Sequence, residues 1–131
     1  MNIALVAHDS KKILMENLCV AYRHILNEHN VYATGTTGRI VEEAMGANVV
    51  KYLEGRLGGE QQLAIQIAHN DIDLVVFLCD PNLDHMGEPG ISGIMRLCDT
   101  HNIPLATNLA TAEALLLSLE RGDLNWREIV K

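Results

Sequence analysis

Two kinds of hydrophobic pattern alternate along the chain. Short aliphatic runs have the length and composition of buried strands, and they cover Ile3–Ala7, Val31–Thr34, Asn48–Tyr52, Asp73–Leu78 and Pro104–Thr107. Stretches with helical spacing lie between and after them, and these cover Lys11–Glu28, Gly38–Met45, Gln61–His69, Ser92–His101 and Ala110–Arg121. Strands that alternate with helices predict a parallel sheet covered on both faces. The pattern leaves the order of the strands open.

The first helical stretch has the most regular spacing. Its apolar residues recur at Leu14, Leu18, Ala21 and Ile25, which places all four on one side of a single continuous helix. Gly46 follows the second helical stretch, in the position where a glycine commonly ends a helix.

The length, composition and charge of the chain exclude several classes of protein. A length of 131 residues predicts one domain, spanning 1–131, and an apolar content of 48% is enough for an aliphatic core. The formal charge of −7 and the aromatic content of 4% argue against nucleic acid or an anionic membrane as a partner. No segment approaches the roughly 20 apolar residues of a membrane span.

The cysteines and the amino terminus indicate a compartment. Cys19, Cys79 and Cys98 are widely spaced, with neither a CxxC pair nor the spacing of zinc ligands. The first residues lack the basic start and the cleavage site of a signal peptide. We therefore expect three buried, reduced thiols and a cytoplasmic location.

Every predicted strand is followed by polar residues. The carboxyl ends of parallel strands meet at one edge of a sheet, where α/β proteins bind their ligands. Acidic residues follow three of the strands, at Asp9, Glu60 and Asp80. Crowded carboxylates raise one another's pKa values, which suits proton transfer, and they also suit Mg²⁺. The pattern alone leaves both interpretations open.

The segment Thr34-Gly35-Thr36-Thr37-Gly38 is the sharpest local signal for a ligand. Glycines allow a tight turn, threonine hydroxyls donate hydrogen bonds, and the next helix contributes partial positive charge at its amino terminus. These features predict a phosphate cradle, with Lys12 as a cation within reach. The alternative is an ordinary strand-to-helix turn capped by threonine. Neither the Walker pattern nor GxGxxG occurs, so a nucleotide is not specifically indicated.

These motifs resemble the methylglyoxal synthase family over nearly the whole chain. The matching segments are Ile3–Asp9, Tyr32–Gly38, Gly58-Gly59, Gln61-Gln62, Asp80-Pro81, Arg96-Leu97 and Ile103–Asn108. The resemblance implies a three-layer α/β/α sandwich with a five-stranded parallel sheet of flavodoxin-like arrangement. It also implies a homohexamer, with Arg96 near the subunit contacts.

The resemblance further implies a reaction, the conversion of dihydroxyacetone phosphate into methylglyoxal and inorganic phosphate without a metal or organic cofactor. A carboxylate removes a proton next to the carbonyl, and the resulting ene-diolate expels phosphate. By position in the family motifs, Glu60 is the base and Asp9 and Asp80 support it. The implied substrate and phosphate contacts are His8, Lys12, Thr34, Gly35, Thr36, Thr37 and Gly55.

The chain departs from the family pattern at several of these positions. The family base is an aspartate, whereas Glu60 is one methylene longer. A family histidine in the loop after the fourth strand aligns with Gly87, and a family aspartate aligns with Gly90. His85, two residues upstream, is the candidate replacement for that histidine. Glu54 stands where the family has a serine near the phosphate.

These departures keep two alternatives open beside the synthase. One is a divergent paralogue that acts on another small phosphorylated compound. The other is a non-catalytic module that binds phosphate or a metabolite, because this fold also serves as a regulatory domain in a larger enzyme. Release of phosphate from dihydroxyacetone phosphate separates the synthase from both.

Overall fold

The computed structural model describes residues 1–47, 49–52, 58–82 and 91–131. The strands are β1 (Asn2–Ala7), β2 (Asn30–Thr34), β3 (Val50–Tyr52), β4 (Leu74–Leu78) and β5 (Leu105–Ala106). The helices are α1 (Lys12–Ala21), α2 (Arg23–Leu26), α3 (Gly35–Met45), α4 (Gly59–Ala68), α5 (Ser92–His101), α6 (Leu109–Glu120) and α7 (Arg127–Val130). A 3₁₀ turn, Asp9–Lys11, joins β1 to α1.

The five strands form one parallel sheet in the order β3-β2-β1-β4-β5. The predicted parallel sheet and three-layer α/β architecture are thereby confirmed. Flavodoxin itself has the order 2-1-3-4-5, so the likeness to flavodoxin concerns the layers and not the order of the strands.

Alternate residues of the central strands pack into two separate layers. Ile3 and Leu5 of β1 pack with α1, α3 and α6 on one face, whereas Ala4 and Val75 pack with α4 and α5 on the other. All five residues of β4 are buried, as its continuous apolar run predicted. Buried apolar side chains therefore pack against helices on both faces of β1 and β4.

The prediction of one continuous helix over Lys11–Glu28 is wrong. The chain leaves helical geometry at Tyr22, with φ −115° and ψ 21°, and α2 begins at the next residue. Ala21 is exposed instead of facing the core. After the change of direction, Ile25 and Leu26 of α2 are both buried.

The outer strands are shorter than the sequence predicted. β5 has two residues where Pro104–Thr107 was expected. β3 begins at Val50, and Asn48, the predicted start, lies outside the described residues. Both are edge strands that pair on one side only, and short edges reduce unwanted pairing with other chains. Gly46 follows α3 as its cap, as predicted.

The three cysteines are free thiols. Cys19 and Cys98 are buried, and burial raises the pKa of Cys19 to about 12 and that of Cys98 to about 11. Cys79 is only half-buried, so the expectation of three buried thiols is wrong for this residue. No helix within the described ranges is long and apolar enough to span a membrane.

Asp73 is a buried carboxylate at the end of the sheet where β1 and β4 begin. Its Oδ2 accepts hydrogen bonds from the Asn2 amide and from Lys131 Nζ, both at 2.8 Å. Its Oδ1 accepts one from Arg127 Nε at 3.3 Å, and neither side chain of this ion pair is exposed. Arg127 also donates to oxygens of Asn70, Ile72 and His101. This set of contacts anchors α7 on the sheet.

Replacing Arg127 by methionine leaves Asp73 buried without its most deeply buried cationic partner. We expect the free energy of unfolding to fall by about 3 kcal/mol, the lower end of the range for a broken buried ion pair, because Lys131 Nζ stays 2.8 Å from Asp73 Oδ2 and compensates part of its charge. Urea denaturation measures this loss. The control is Arg121→Met, which breaks the exposed pair between Arg121 and Asp123 and is expected to cost less than about 1 kcal/mol. Equal losses in the two variants would contradict the role assigned to Asp73.

Candidate active site

The carboxyl ends of the strands carry the residues that the sequence analysis selected. His8 and Asp9 follow β1, Thr34 ends β2, and Asp80 lies two residues beyond β4. Because Ala7 is level with Leu78 in the β1–β4 register, the chain segments that leave these two strands lie side by side. Gly55 and His85 lie outside the described residues.

His8 is buried at this edge, with 4% of its surface exposed. Its backbone amide donates to the Leu78 carbonyl at 3.1 Å, and its ring meets Phe77 edge-on at a centroid distance of 5.3 Å. The ring Nδ1 accepts a hydrogen bond from the Asp80 amide at 2.9 Å. A nitrogen that accepts from a backbone N–H carries no proton, so this bond assigns the ring proton to Nε2.

Both carboxylate oxygens of Asp80 accept hydrogen bonds from neighbouring residues. Oδ2 accepts from the Ser10 hydroxyl at 2.7 Å, and Oδ1 accepts from the Asn82 amide at 2.9 Å. These two hydrogen bonds, the Ser10 bond foremost, hold the pKa of Asp80 below its usual range, and the charge of Lys11 adds to the effect. Asp80 is therefore an ionised group with fixed partners.

Glu60 has the opposite environment. It is the second residue of α4 and is half-buried. Burial raises the pKa of its carboxyl above the ordinary 4.5, and a positive charge on His8, present only when its imidazole is protonated, opposes this to a smaller extent. Gly58, which precedes α4, has a φ of 109°, a conformation that glycine adopts without strain. This glycine sets where the helix begins and hence where the carboxyl of Glu60 lies.

Asp9 and Lys12 form an ion pair across one turn, between Asp9 Oδ1 and Lys12 Nζ. The side chain of Asp9 is 63% exposed and that of Lys12 is 21% exposed. The cation predicted for the anion cradle is thus present at the start of α1, already balanced by a carboxylate.

The threonine-rich segment is not a loop, and this corrects the prediction. α3 begins at Gly35, directly after β2. The amides of its first turn have no partner within the helix, so the expected anion-binding character belongs to a helix amino terminus. Thr34 and Thr37 are buried, whereas Gly35 and Thr36 are half-buried.

Gly38 does not form the predicted tight turn. It lies inside α3, where a Cβ atom would come within 2.7 Å of Lys51 Cγ. The glycine therefore lets the lysine side chain of β3 pack across the helix.

The described residues divide into three groups at this edge. His8 interacts with Asp80 through a hydrogen bond, and with Glu60 through charge when the imidazole is protonated. Asp9 and Lys12 form a pair, and the threonines belong to α3. Among the residues that the structure describes, no cluster of three or more histidine, cysteine or acidic side chains could hold a metal ion.

Ser10 and Asn82 are the residues at this edge that the sequence analysis did not select. Ser10 stands in the polar segment after β1, and Asn82 in the polar segment after β4. Asn82 contacts Asp80 within one turn, whereas the contact of Ser10 with Asp80 depends on the pairing of β1 with β4. Local spacing contains no signal for it, since Ser10 and Asp80 are 70 positions apart.

Comparison with known proteins gives consistent matches. A family model described as an MGS-like domain matches residues 15–107. A protein named methylglyoxal synthase from Caldicellulosiruptor saccharolyticus is 58% identical over 130 residues, which are 99% of this chain and 92% of the relative. One from Thermoanaerobacter sp. is 56% identical over 129 residues, which are 98% of each chain.

A solved structure agrees with the sequence matches. The crystal structure of methylglyoxal synthase from Elizabethkingia anophelis has a TM-score of 0.83 and 41% identity, covering 88% of this chain and 76% of that one. Relatives of this similarity over nearly the full length show that the chain belongs to the methylglyoxal synthase family.

Proposed function

We propose that the protein is a methylglyoxal synthase, a lyase that converts dihydroxyacetone phosphate into methylglyoxal and inorganic phosphate. The observation that carries the proposal is Glu60, a half-buried carboxyl with a raised pKa close to His8 at the carboxyl edge of the sheet. A base whose pKa is shifted toward neutrality is suited to proton abstraction next to a carbonyl. Identity of 58% with a named synthase over nearly the whole chain supports the same reaction.

Proton abstraction is the first step. The carboxylate of Glu60 takes a proton from the hydroxymethyl carbon, and the electron pair of that C–H bond forms the double bond of an ene-diolate. His8, with its ring proton on Nε2, donates to the oxygen on which negative charge develops. Asp80 stays ionised while its backbone amide holds the ring of His8, and Asp9 holds Lys12.

Phosphate elimination is the second step. The ene-diolate electrons displace the phosphate, and the enol aldehyde that remains becomes methylglyoxal by proton transfer. The first-turn amides of α3, the hydroxyls of Thr34, Thr36 and Thr37, and the ammonium of Lys12 bind the phosphate. Elimination is favoured when the C–O bond stands perpendicular to the ene-diolate plane. Gly55 and His85 stay part of the proposal on the sequence resemblance alone.

We also propose that the chain forms a homohexamer in the cytosol. Trp126, Ile129 and Val130 at the carboxyl-terminal end are exposed apolar residues, as is common at subunit contacts, and Arg96 is exposed on α5. Unpaired thiols fit a reducing compartment. Native mass spectrometry tests the assembly, which should have six times the 14.5 kDa mass of the chain.

Glu60→Gln removes the base while keeping the shape of the side chain. We expect kcat for phosphate release from dihydroxyacetone phosphate to fall by about 10²–10⁴-fold with little change in KM, because general-base catalysis contributes that much. Glu60→Asp keeps the carboxylate but withdraws it by one methylene, and we expect an intermediate loss of about 10–100-fold. A phosphate-release assay measures both variants. Glu128→Gln, at an exposed position on α7, is the matched control.

The same assay decides between the proposal and its alternatives. Wild-type protein that releases no phosphate from dihydroxyacetone phosphate is not a synthase. Release from another phosphorylated keto compound would then identify the divergent paralogue. Thermal stabilisation by phosphate without turnover of any compound would identify a binding module.

The raised pKa of Glu60 predicts a pH dependence. Only the ionised carboxyl accepts a proton, so activity falls as the pH falls through that pKa, and the loss begins at a higher pH than for an ordinary glutamate. A ¹³C NMR titration measures the group directly, with its signal identified by its absence from Glu60→Gln. We expect a midpoint above 4.5 for Glu60 and below 3.8 for Asp80. A Glu60 midpoint at or below 4.5 would contradict the assignment.

A further inference from the structure

Three hydrogen bonds join the turn after β1 to the turn after β4. The His8 amide donates to the Leu78 carbonyl, the Asp80 amide donates to the ring of His8, and the Ser10 hydroxyl donates to Asp80 Oδ2. The first belongs to the sheet register. The other two form a closed path, in which Ser10 holds the side chain of the residue whose amide holds His8.

The Ser10 hydroxyl is one of two described hydrogen-bond donors to the carboxylate of Asp80. The Asp80 side chain lies at a half-exposed edge, and its other oxygen is held by the Asn82 amide within the same turn. Ser10 is the described partner that ties this carboxylate to the β1 turn. Lys11 is close enough to attract the same carboxylate by charge. Without the hydroxyl, Asp80 is expected to follow Lys11 and to carry its own amide away from His8.

The position of that amide decides which nitrogen of His8 bears the proton. An imidazole presents one donor and one acceptor when neutral, and the partner of one nitrogen determines the role of the other. The Asp80 N–H makes Nδ1 the acceptor, which leaves Nε2 as the donor. Phe77 restricts rotation of the same ring from its side.

We propose that Ser10 is a positioning residue that, through Asp80, keeps the imidazole of His8 in the Nε2–H form and in a fixed orientation. The role of Ser10 in turnover rests on the proposed function, because it acts through the group that stabilises the ene-diolate. The hydrogen-bonded arrangement itself does not depend on which substrate is bound.

The experiment compares Ser10→Ala with Ser10→Thr, which keeps the hydroxyl. We expect Ser10→Ala to lower kcat by about 10-fold, since small displacements of a catalytic group are costly, with KM changed by less than about twofold. Ser10→Thr should retain wild-type kcat within about twofold. The control is Ser118→Ala, which removes a serine hydroxyl on α6 that accepts a hydrogen bond from Arg121 and should leave both constants unchanged.

A second measurement is independent of catalysis. ¹⁵N NMR of labelled histidine, assigned with His8→Gln, reports which ring nitrogen carries the proton. We expect only the Nε2–H signal pattern for His8 in the wild type and in Ser10→Thr, and a mixture of both tautomers in Ser10→Ala. If the wild-type protein shows no turnover, the proposed function is overturned. The NMR comparison of the His8 tautomer in the wild type, Ser10→Ala and Ser10→Thr then still tests the positioning role of Ser10.

Two results would overturn the role of Ser10. The first is an unchanged His8 tautomer in Ser10→Ala, whether or not kcat falls. A lower kcat with an unchanged tautomer would report only a general structural loss. The second is damage in Ser10→Thr equal to that in Ser10→Ala.

Discussion

The register between β1 and β4 is the constraint on which the site depends. Ala7 pairs with Leu78, so both central strands end at the same height and the polar residues that follow them meet. A shift by one residue would turn every side chain of β1 to the opposite face of the sheet, and the ring of His8 would leave the Asp80 amide. The apolar layers on both faces oppose such a shift, since they bury alternate residues of each strand. The apolar core thus sets the geometry of the polar site, and Phe77 of that core also contacts the ring of His8.

Two carboxyl groups at the same edge show how local surroundings divide chemical roles. Glu60 is the second residue of α4 and loses solvent, and among the described residues only the charge of a protonated His8 opposes this, so its pKa is raised. Asp80 stands in a turn and gains two donors, which lowers its pKa. One group is thereby suited to exchange a proton and the other to remain charged. The net charge of −7 does not oppose an anionic substrate, because a phosphate is bound locally by amides, hydroxyls and a cation.

Periodicity and parallel topology account for what the sequence predicted. The apolar runs located the strands, and the rule that parallel strands share their carboxyl edge predicted that Asp9, Glu60 and Asp80 crowd together. In the structure Asp9 pairs with Lys12 instead, and burial rather than a neighbouring carboxylate raises the pKa of Glu60. The order of the strands depends on how the crossover helices pack, which no local pattern records. The helix break at Tyr22 was missed because the 4-3-4 spacing continues through it. The contact between Ser10 and Asp80 requires the register of two strands that are distant in sequence, and for the same reason no motif contains it.

The contacts of Asp73 also bring residues from the two ends of the chain close together. Its Oδ2 accepts from both Asn2 and Lys131, so residues near the two ends of the chain lie within a few ångströms of each other. They meet at the edge of the sheet opposite the candidate active site. A short linker could close the chain into a ring there, and new ends could be opened in an exposed turn such as Asn27-Glu28 after α2. In such a permuted chain the strands and helices would be synthesised in a different order but would form the same sheet.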